Sequence, residues 1–531
     1  MRGRVYLVAA AAALLAASTL ADAALAQKRG GILKAQHRDT PPSGSIHEEA
    51  TNSTVSPYMG VFNNLIMYDQ HKPQNSLETI VPDLATEWTW SDDFTRLTFK
   101  LRDGVKWHDG KPMTAKDVEC TWNLLLGKSE TKLRKNPRKS WYTNLDKVTT
   151  NGDFEATFHL KRPQPAFIGL LASGYSPVYP CHVAPADMRT KPVGTGPFKF
   201  VELKQNEYIK FARNENYWKQ DRPYLDGVEW TIIKSSATRA LAFIAGDFDM
   251  TFNVDITIPV LKDIKSQAPD AICELRTTNV STNLIVNRDA PPFDNADVRA
   301  AMGLTIDRQA FIDILTEGVA VMGGAMMPPP EGVWGIPGDK LADVPGYGDI
   351  EKNREKARAI MAKLGYGPDK PLKVKVSTRN IQVYIDPAVI LIDHLKQIYI
   401  DAELDAVETS NWHAKVARKD YMVGLNLTGV GVDDPDANFY ENYGCGSERN
   451  YTGYCNQEIQ ALFDKQSAMT DQAARKQLVW EIDRRLQEDV ARPIIFHNKQ
   501  ATCFQPHVKN FVTMENSLYN GWRLEDVWLD K

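Results

Sequence analysis

The sequence predicts an α/β protein of two or three lobes, and three observations carry that expectation. Stretches of period-2 apolar alternation take turns with stretches of helical spacing along the chain, the pattern of α/β units. At 531 residues the chain exceeds what one hydrophobic core organises. With 43% hydrophobic and 24% charged residues, the composition is that of an ordinary globular protein.

The elements follow in order. Arg2 and Arg4, an apolar run from Val5 to Leu20 and the small-x-small site Ala24-Leu25-Ala26 predict a cleavable signal peptide over 1–26. The run is shorter than the roughly 20 residues of a membrane span. Gln27, not a lipobox cysteine, follows the site, so the expected product is exported to the periplasm of a host with an outer membrane. Without the leader the formal net charge moves from −4 to about −5, which argues against nucleic acid as a partner.

"LTFKLRDGVKW" (97–107) alternates as a strand, with Asp103-Gly104 as a turn, and Thr114 with Asp117 predicts a capping box opening a helix. His108 beside Asp109 has the look of an acid/base pair, but its place between hairpin and helix assigns both to turn and capping roles. "ATFHLKRP" and "PFKFVELKQNEYIKFARN" read as strands, and "ATRALAFIAGDFD" as a helix ending at Gly246. A mainly helical stretch runs from "NADVRAAMGL" through "EKNREKARAIMAKLGYG". "PLKVKVST" then predicts a strand, "DPAVILIDHLKQI" a helix capped by Asp386 with Pro387 at its first position, and "DAELDAV" a second strand.

Six cysteines in an exported chain permit disulfides. Cys445 and Cys455 bound a loop rich in turn formers and are the expected pair; Cys120, Cys181, Cys273 and Cys503 read as buried thiols, since no metal-ligand spacing accompanies them. Enzyme motifs fail on inspection. "HEEAT" has Thr51 where a zinc protease needs its second histidine, "GKS" (127–129) has Trp122 where a phosphate loop begins with glycine, and G-x-S-x-G does not occur. The ten histidines form no ligand-spaced pair. The expectation is a non-enzyme without a cofactor or metal.

The string "VPDLATEWTWSDDFTRLTFKLRDGVKWHDGKPMTAKDVECTWNLL" (81–125) resembles the signature segment of the peptide/nickel-type solute-binding proteins of ABC importers, family 5. "VGTGPFKF", "NENYWKQDRPYLDGVEW", "AFIAGDFDM", "PPFDNADVRAAMGLTIDRQ", "DDPDANF" and "YCNQEI" match in the same order. The resemblance implies a two-lobed periplasmic-binding-protein fold that closes on its solute like a flytrap, with an extra domain in the first lobe. The implied boundaries are 27–66, 190–282 and 495–531 for the first lobe, 67–189 for the extra domain and 283–494 for the second lobe. Hinge crossings fall near "TNLIVN" and "PIIFHN". It also implies delivery of a small-molecule solute to an ABC permease and its ATPase by a monomeric carrier.

The resemblance further suggests a pocket. Asn253 would pair with a carbonyl or hydroxyl of the solute, Arg379 would fork onto a carboxylate, Trp412 would cover a ring or apolar tail, and His497 would point into the cleft. Peptide carriers place an aspartate before the Asp-Pro to neutralise the peptide ammonium. Here that position is Gly431, and the tryptophan that precedes it is Thr428. Peptides are therefore disfavoured unless Asp433 or Asp434 takes over, and an organic carboxylate, polyol or non-standard peptide is expected, with an ordinary di- or oligopeptide as the alternative. His47, Glu48 and Glu49, without precedent in the family, are placed at the cleft lip, one of them touching solute.

Overall fold

The computed structural model describes residues 27–253 and 255–531. The expected leader lies outside them. The first lobe is organised by a four-stranded sheet in which Ile32–His37 runs parallel to Gly227–Ile232, followed by Tyr208–Arg213 and Phe198–Lys204. Helices Ser236–Ile244 and Ile258–Gln267 pack nearby, and the first ends as expected before Gly246, whose φ of +81° suits glycine.

The signature segment forms an antiparallel sheet of its own, in the order Ala85–Trp90, Arg96–Leu101, Glu155–Leu160, Leu145–Thr150. Leu97, Phe99 and Leu101 are buried on its inner face, as their alternation requires. Thr114 and Asp117 form the capping box that opens helix Ala115–Leu125. His108 is a tether: Nε2 lies 3.0 Å from the Gly196 carbonyl and Nδ1 accepts from the Gly194 N–H. Asp109 pairs with His182 at 2.6 Å. His108 thus ties this segment to the backbone at 194–196, while Asp109 pairs within the expected extra domain itself.

The second lobe holds a five-stranded sheet ordered Ile400–Val407, Leu372–Arg379, Val423–Gly429, Ile272–Val286, Ile494–Phe504. Leu372–Arg379 and Ile400–Val407 are parallel and joined by helix Gln382–Lys396, a βαβ unit. That helix starts earlier than its sequence suggests. Ile381 is its N-cap and Pro387 lies inside it, so Asp386 caps nothing. The first turn is held instead by the Tyr384 and Ile385 N–H groups, both on the Ile381 carbonyl, and by the Tyr384 hydroxyl, which accepts from Arg379.

Ile272–Val286 and Ile494–Phe504 are the long strands that join the lobes. They pair antiparallel from Ile272↔Phe504 to Asn283↔Ile494, with an irregularity between Thr277 and Ser281. Their first-lobe ends pack with helices 236–244 and 258–267, and the second-lobe end of Ile272–Val286 pairs with Val423–Gly429. The main buried clusters are two: one built from Leu33, Phe99, Trp122, Trp230 and the C-terminal Trp522, the other from Leu284, Val376, Leu391 and Leu425.

The cysteines correct the expectation of thiols. Cys120 is bonded to Cys181 and Cys273 to Cys503, besides Cys445 to Cys455, and no described cysteine is free. Cys273 and Cys503 oppose each other in register on the two long strands. Their separation of 230 residues hides that pairing from the sequence.

Candidate functional site

Both lobes and the long strands line one cavity. Arg38, Thr51, Asn52 and Tyr519 come from the first-lobe side, Arg379, Tyr384, His413 and Arg449 from the second, and Val280 and Gln500 from the strands between. Its volume is ≈ 30 Å³, room for about two waters. The lobes are closed on each other, and an organic solute enters only when they part.

Local structure explains who faces it. Arg38 directly follows strand 32–37, and Arg379 is the last residue of strand 372–379. Both sit at carboxyl ends of strands, where open α/β sheets place their ligands. Thr51 is the N-cap of helix Asn52–Tyr58, its hydroxyl accepting from the Ser53 N–H at 3.2 Å. Arg449 lies within the loop closed by Cys445 and Cys455 and lines the cavity, its guanidinium paired with Glu441.

The walls are rich in positive charge. Three arginines line the cavity and no aspartate or glutamate does. Arg379 Nη2 meets Asp39 Oδ2 at 2.7 Å across the lobe boundary, while its other nitrogens donate to Tyr384 and Thr409 hydroxyls. Burial alone would push the Asp39 carboxyl up; the charges of Arg379, His37 and Arg38 outweigh it and hold Asp39 well below the usual range. His413 is neutral because burial, with Arg379 and Lys135 nearby, drives its pKa far down, and its Nε2 has no partner.

The expected site residues divide sharply. Arg379 does line the cavity, but the carboxylate on its fork is a protein one. Asn253 stands one step back: its Oδ1 accepts from Asn52 at 2.7 Å and its Nδ2 donates to the Leu518 carbonyl, so it supports Asn52 and Leu518, which line the wall. Trp412 is fully buried among Ile285, Val416 and Tyr451, and the adjacent His413 is the residue that faces the cavity. Thr428 accepts from Asn283, Asn426 and Arg492, while Leu427 and Gly429 on either side form the wall. His497 packs in the interior, Nε2 2.9 Å from the Gly324 carbonyl, and burial lowers its pKa to about 4.

Gly431 has no room for a side chain. A Cβ there would stand 2.5 Å from the Trp141 ring, and the Gly431 carbonyl already accepts from Ser173, Ser517 and Asn520. Asp433 does not replace the missing aspartate. It lines a separate cavity of ≈ 380 Å³ beside Trp334 and Arg475, and burial pushes its carboxyl up to about 7. Asp434 is likewise engaged, its oxygens taking Arg475 Nη1 and Nη2 at 2.9 and 2.7 Å.

The lip residues turn away from the cleft. His47 Nε2 lies 2.8 Å from the Pro177 carbonyl, with its ring edge-on to Tyr179. Glu48 takes Arg189 in a two-point pair at 2.6 and 2.9 Å, and Glu49 takes Arg134 and Lys135. All three are buried ties between the N-terminal segment and the extra domain; the next residues, Ala50 to Asn52, reach the wall. Arg38, Tyr384, His413, Arg449 and Tyr519 are lining residues the sequence reading did not single out.

Comparison with known proteins agrees with this architecture. The profile of bacterial extracellular solute-binding proteins, family 5 Middle, matches residues 79–450. Oligopeptide-binding protein AppA of Bacillus subtilis is 27% identical over 459 residues, covering 81% of this chain and 80% of that protein. Among solved structures, DppA from Helicobacter pylori in complex with peptide STSA superposes with a TM-score of 0.82 at 20% identity, over 95% of this chain and 99% of that one. AgaA from A. tumefacien R10 in complex with agropinic acid also reaches 0.82, at 23% identity, over 94% and 99%. With the fold, the two-sided cavity and the matched profile in agreement, the chain belongs to family 5 of the bacterial extracellular solute-binding proteins and is the substrate-binding component of an ABC import system.

Proposed function

We propose that this chain captures a small organic anion, carboxylate-bearing and open to further hydroxyls, between its lobes and hands it to the membrane permease. One observation carries the reading: the cavity is lined by Arg38, Arg379 and Arg449 and by no carboxylate. Excluding water strengthens an arginine–carboxylate contact, and the solute favours closure to the extent that it meets both lobes better in the closed state. A peptide ammonium would instead enter a pocket whose lining offers it no carboxylate, at a cost of several kcal/mol.

The remaining assignments belong to the same reading. Residues 1–26 export the chain to the periplasm, 27–66 with 190–282 and 495–531 form the first lobe, 67–189 the extra domain and 283–494 the second lobe. The mature monomer meets its permease and ATPase partners in the closed form, and no covalent step is asked of it. Among the described residues no helix is long and apolar enough to cross a membrane. Peptide is the second reading, favoured by the peptide-binding relatives.

A thermal-shift screen of refolded, ligand-stripped protein against di- to pentapeptides, neutral polyols and organic acids tests the choice. A true ligand at about 100 times its Kd stabilises by roughly 2.7 kcal/mol. Shifts with acids and none with peptides are expected; a peptide shift matching the best acid would sink the proposal.

A further inference from the structure

The charges around the cavity are unevenly matched, and the mismatch falls into two clusters. In the first, Arg38 and Arg239 share a single carboxylate, Asp255. Arg239 takes Asp255 Oδ2, whereas Arg38 Nη1 lies 3.8 Å from Oδ1. That distance is too long for a hydrogen bond, and Asp255 Oδ1 and Arg38 Nε have no partner. The Arg38 side chain is 5% exposed, lies 5.1 Å over the Phe252 ring and lines the cavity.

In the second cluster Glu441 pairs with Arg449 alone, and the buried Arg138 and Arg492 near it have no carboxylate partner among the described residues. Arg449 Nη1 takes Glu441 Oε1, and both the Arg449 Nε and the Glu441 Oε2 are unpartnered. Arg138 has only the carbonyls of Ile46 and Glu49, with its guanidinium 3.6 Å over the Tyr175 ring. Arg492 donates to Thr428, Asn442 and the Arg449 carbonyl, none of them charged. Two guanidiniums thus share Asp255 in the first-lobe cluster, and in the other Arg138 and Arg492 lie without a carboxylate beside the Arg449–Glu441 pair. Asp39 is bonded to Arg379 and also lies in the field of Arg38 without bonding it.

A buried guanidinium without a counter-ion is strongly disfavoured, and here the surplus occurs on both sides of the lobe boundary. We propose that the solute is a diacid: one acidic group is received by Arg38 on the first-lobe side and the other by Arg449 on the second. This rests on the reading of the cleft as an anion site and narrows it to a dianion. A solute with both groups completes both clusters and draws the lobes together. A monoacid completes only one.

The test is calorimetric titration of the ligand-stripped mature chain with straight-chain diacids from succinate to pimelate and with the sugar diacid glucarate, each beside its monomethyl ester. At least one diacid is expected to bind about 10- to 100-fold tighter than its ester, the range of one charge-assisted contact. Arg38→Gln is expected to erase that gap and Arg38→Lys to keep part of it; the wild-type comparison requires no variant to fold. Equal binding of diacid and ester overturns the two-point clamp and leaves the anion carrier standing. Binding of monoacids alone, with every diacid silent, has the same meaning. Binding of peptides or neutral polyols alone brings down both readings.

Discussion

Gly431 is where the proposal that the cleft disfavours peptides can be put to a physical test. Reinstating the aspartate of peptide carriers there must add a Cβ 2.5 Å from Trp141 Cη2, 3.0 Å from Cζ2 and 3.1 Å from Ser173 Oγ. The ring cannot easily retreat, since Trp141 is buried and its Nε1 donates to the Ala437 carbonyl at 3.1 Å. Gly431→Ala isolates the steric part, expected at about 1–3 kcal/mol. Gly431→Asp adds a buried carboxylate with no cation bonded beside it, and the total is expected at about 4 kcal/mol or more. Urea unfolding followed by tryptophan fluorescence reads the difference as a lower midpoint at unchanged slope. A Gly431→Ala protein within about 0.5 kcal/mol of wild type would refute the packing argument. A stable Gly431→Asp protein that gained dipeptide binding would refute the functional one.

Other perturbations follow from the same geometry. Asp39→Asn leaves buried Arg379 without its carboxylate and is expected to cost about 3–5 kcal/mol; because the folded pKa of Asp39 lies below its ordinary 3.8, its contribution is present above that pH and disappears as pH falls below it, so the wild-type and variant stability curves converge in acid. His47 and His497, held near 3 and 4 by burial, stay neutral when folded, so stability falls from pH 6.5 to about 4 by up to about 1.4 kcal/mol per pH unit for each, and replacing either by glutamine flattens that slope. Asp433 has the opposite sign, since a folded pKa near 7 disfavours its charged form; Asp433→Asn is expected to stabilise the protein by about 1–3 kcal/mol at pH 8 and to lose that advantage below pH 4, checked by melting at both pH values. Replacing Cys445 and Cys455 by serine is expected to cost about 2–3 kcal/mol of stability from the short loop and, beyond that, to weaken solute binding by loosening Arg449; unchanged affinity would detach the disulfide from the site.

What the sequence could and could not reveal separates along physical lines. Elements signalled by local chemistry were legible: the capping box of Thr114 and Asp117, the strand alternation through Leu97 and Phe99, and the helix stop at Gly246. Helix 382–396 was misjudged because a tertiary partner, Arg379 on the Tyr384 hydroxyl, helps to start it ahead of the proline. The cavity lining lies small steps from the expected residues: His413 beside Trp412, Gly429 beside Thr428, and Asn52 bonded to Asn253. Neighbouring residues on a strand point to opposite faces, and on a helix they diverge by about 100°, so a motif can mark the right segment while its most conspicuous residue faces the core.

Charge was harder still, because the meaning of an arginine depends on which carboxylates the fold brings to it. Arg38 follows a short strand and Arg449 sits in a turn-rich loop 411 positions later, each unremarkable in isolation. Glu48 and Glu49, which looked free for a ligand, are consumed by Arg189, Arg134 and Lys135. Arg379, which looked like the ligand's arginine, is matched by Asp39. Once the folded protein has made those pairings, the guanidiniums left over are what the proposal of an anionic solute rests on. The same lobes serve an agropinic acid carrier and peptide carriers alike, so it is the unmatched charge on their facing walls, and not the frame, that must distinguish one cargo from another.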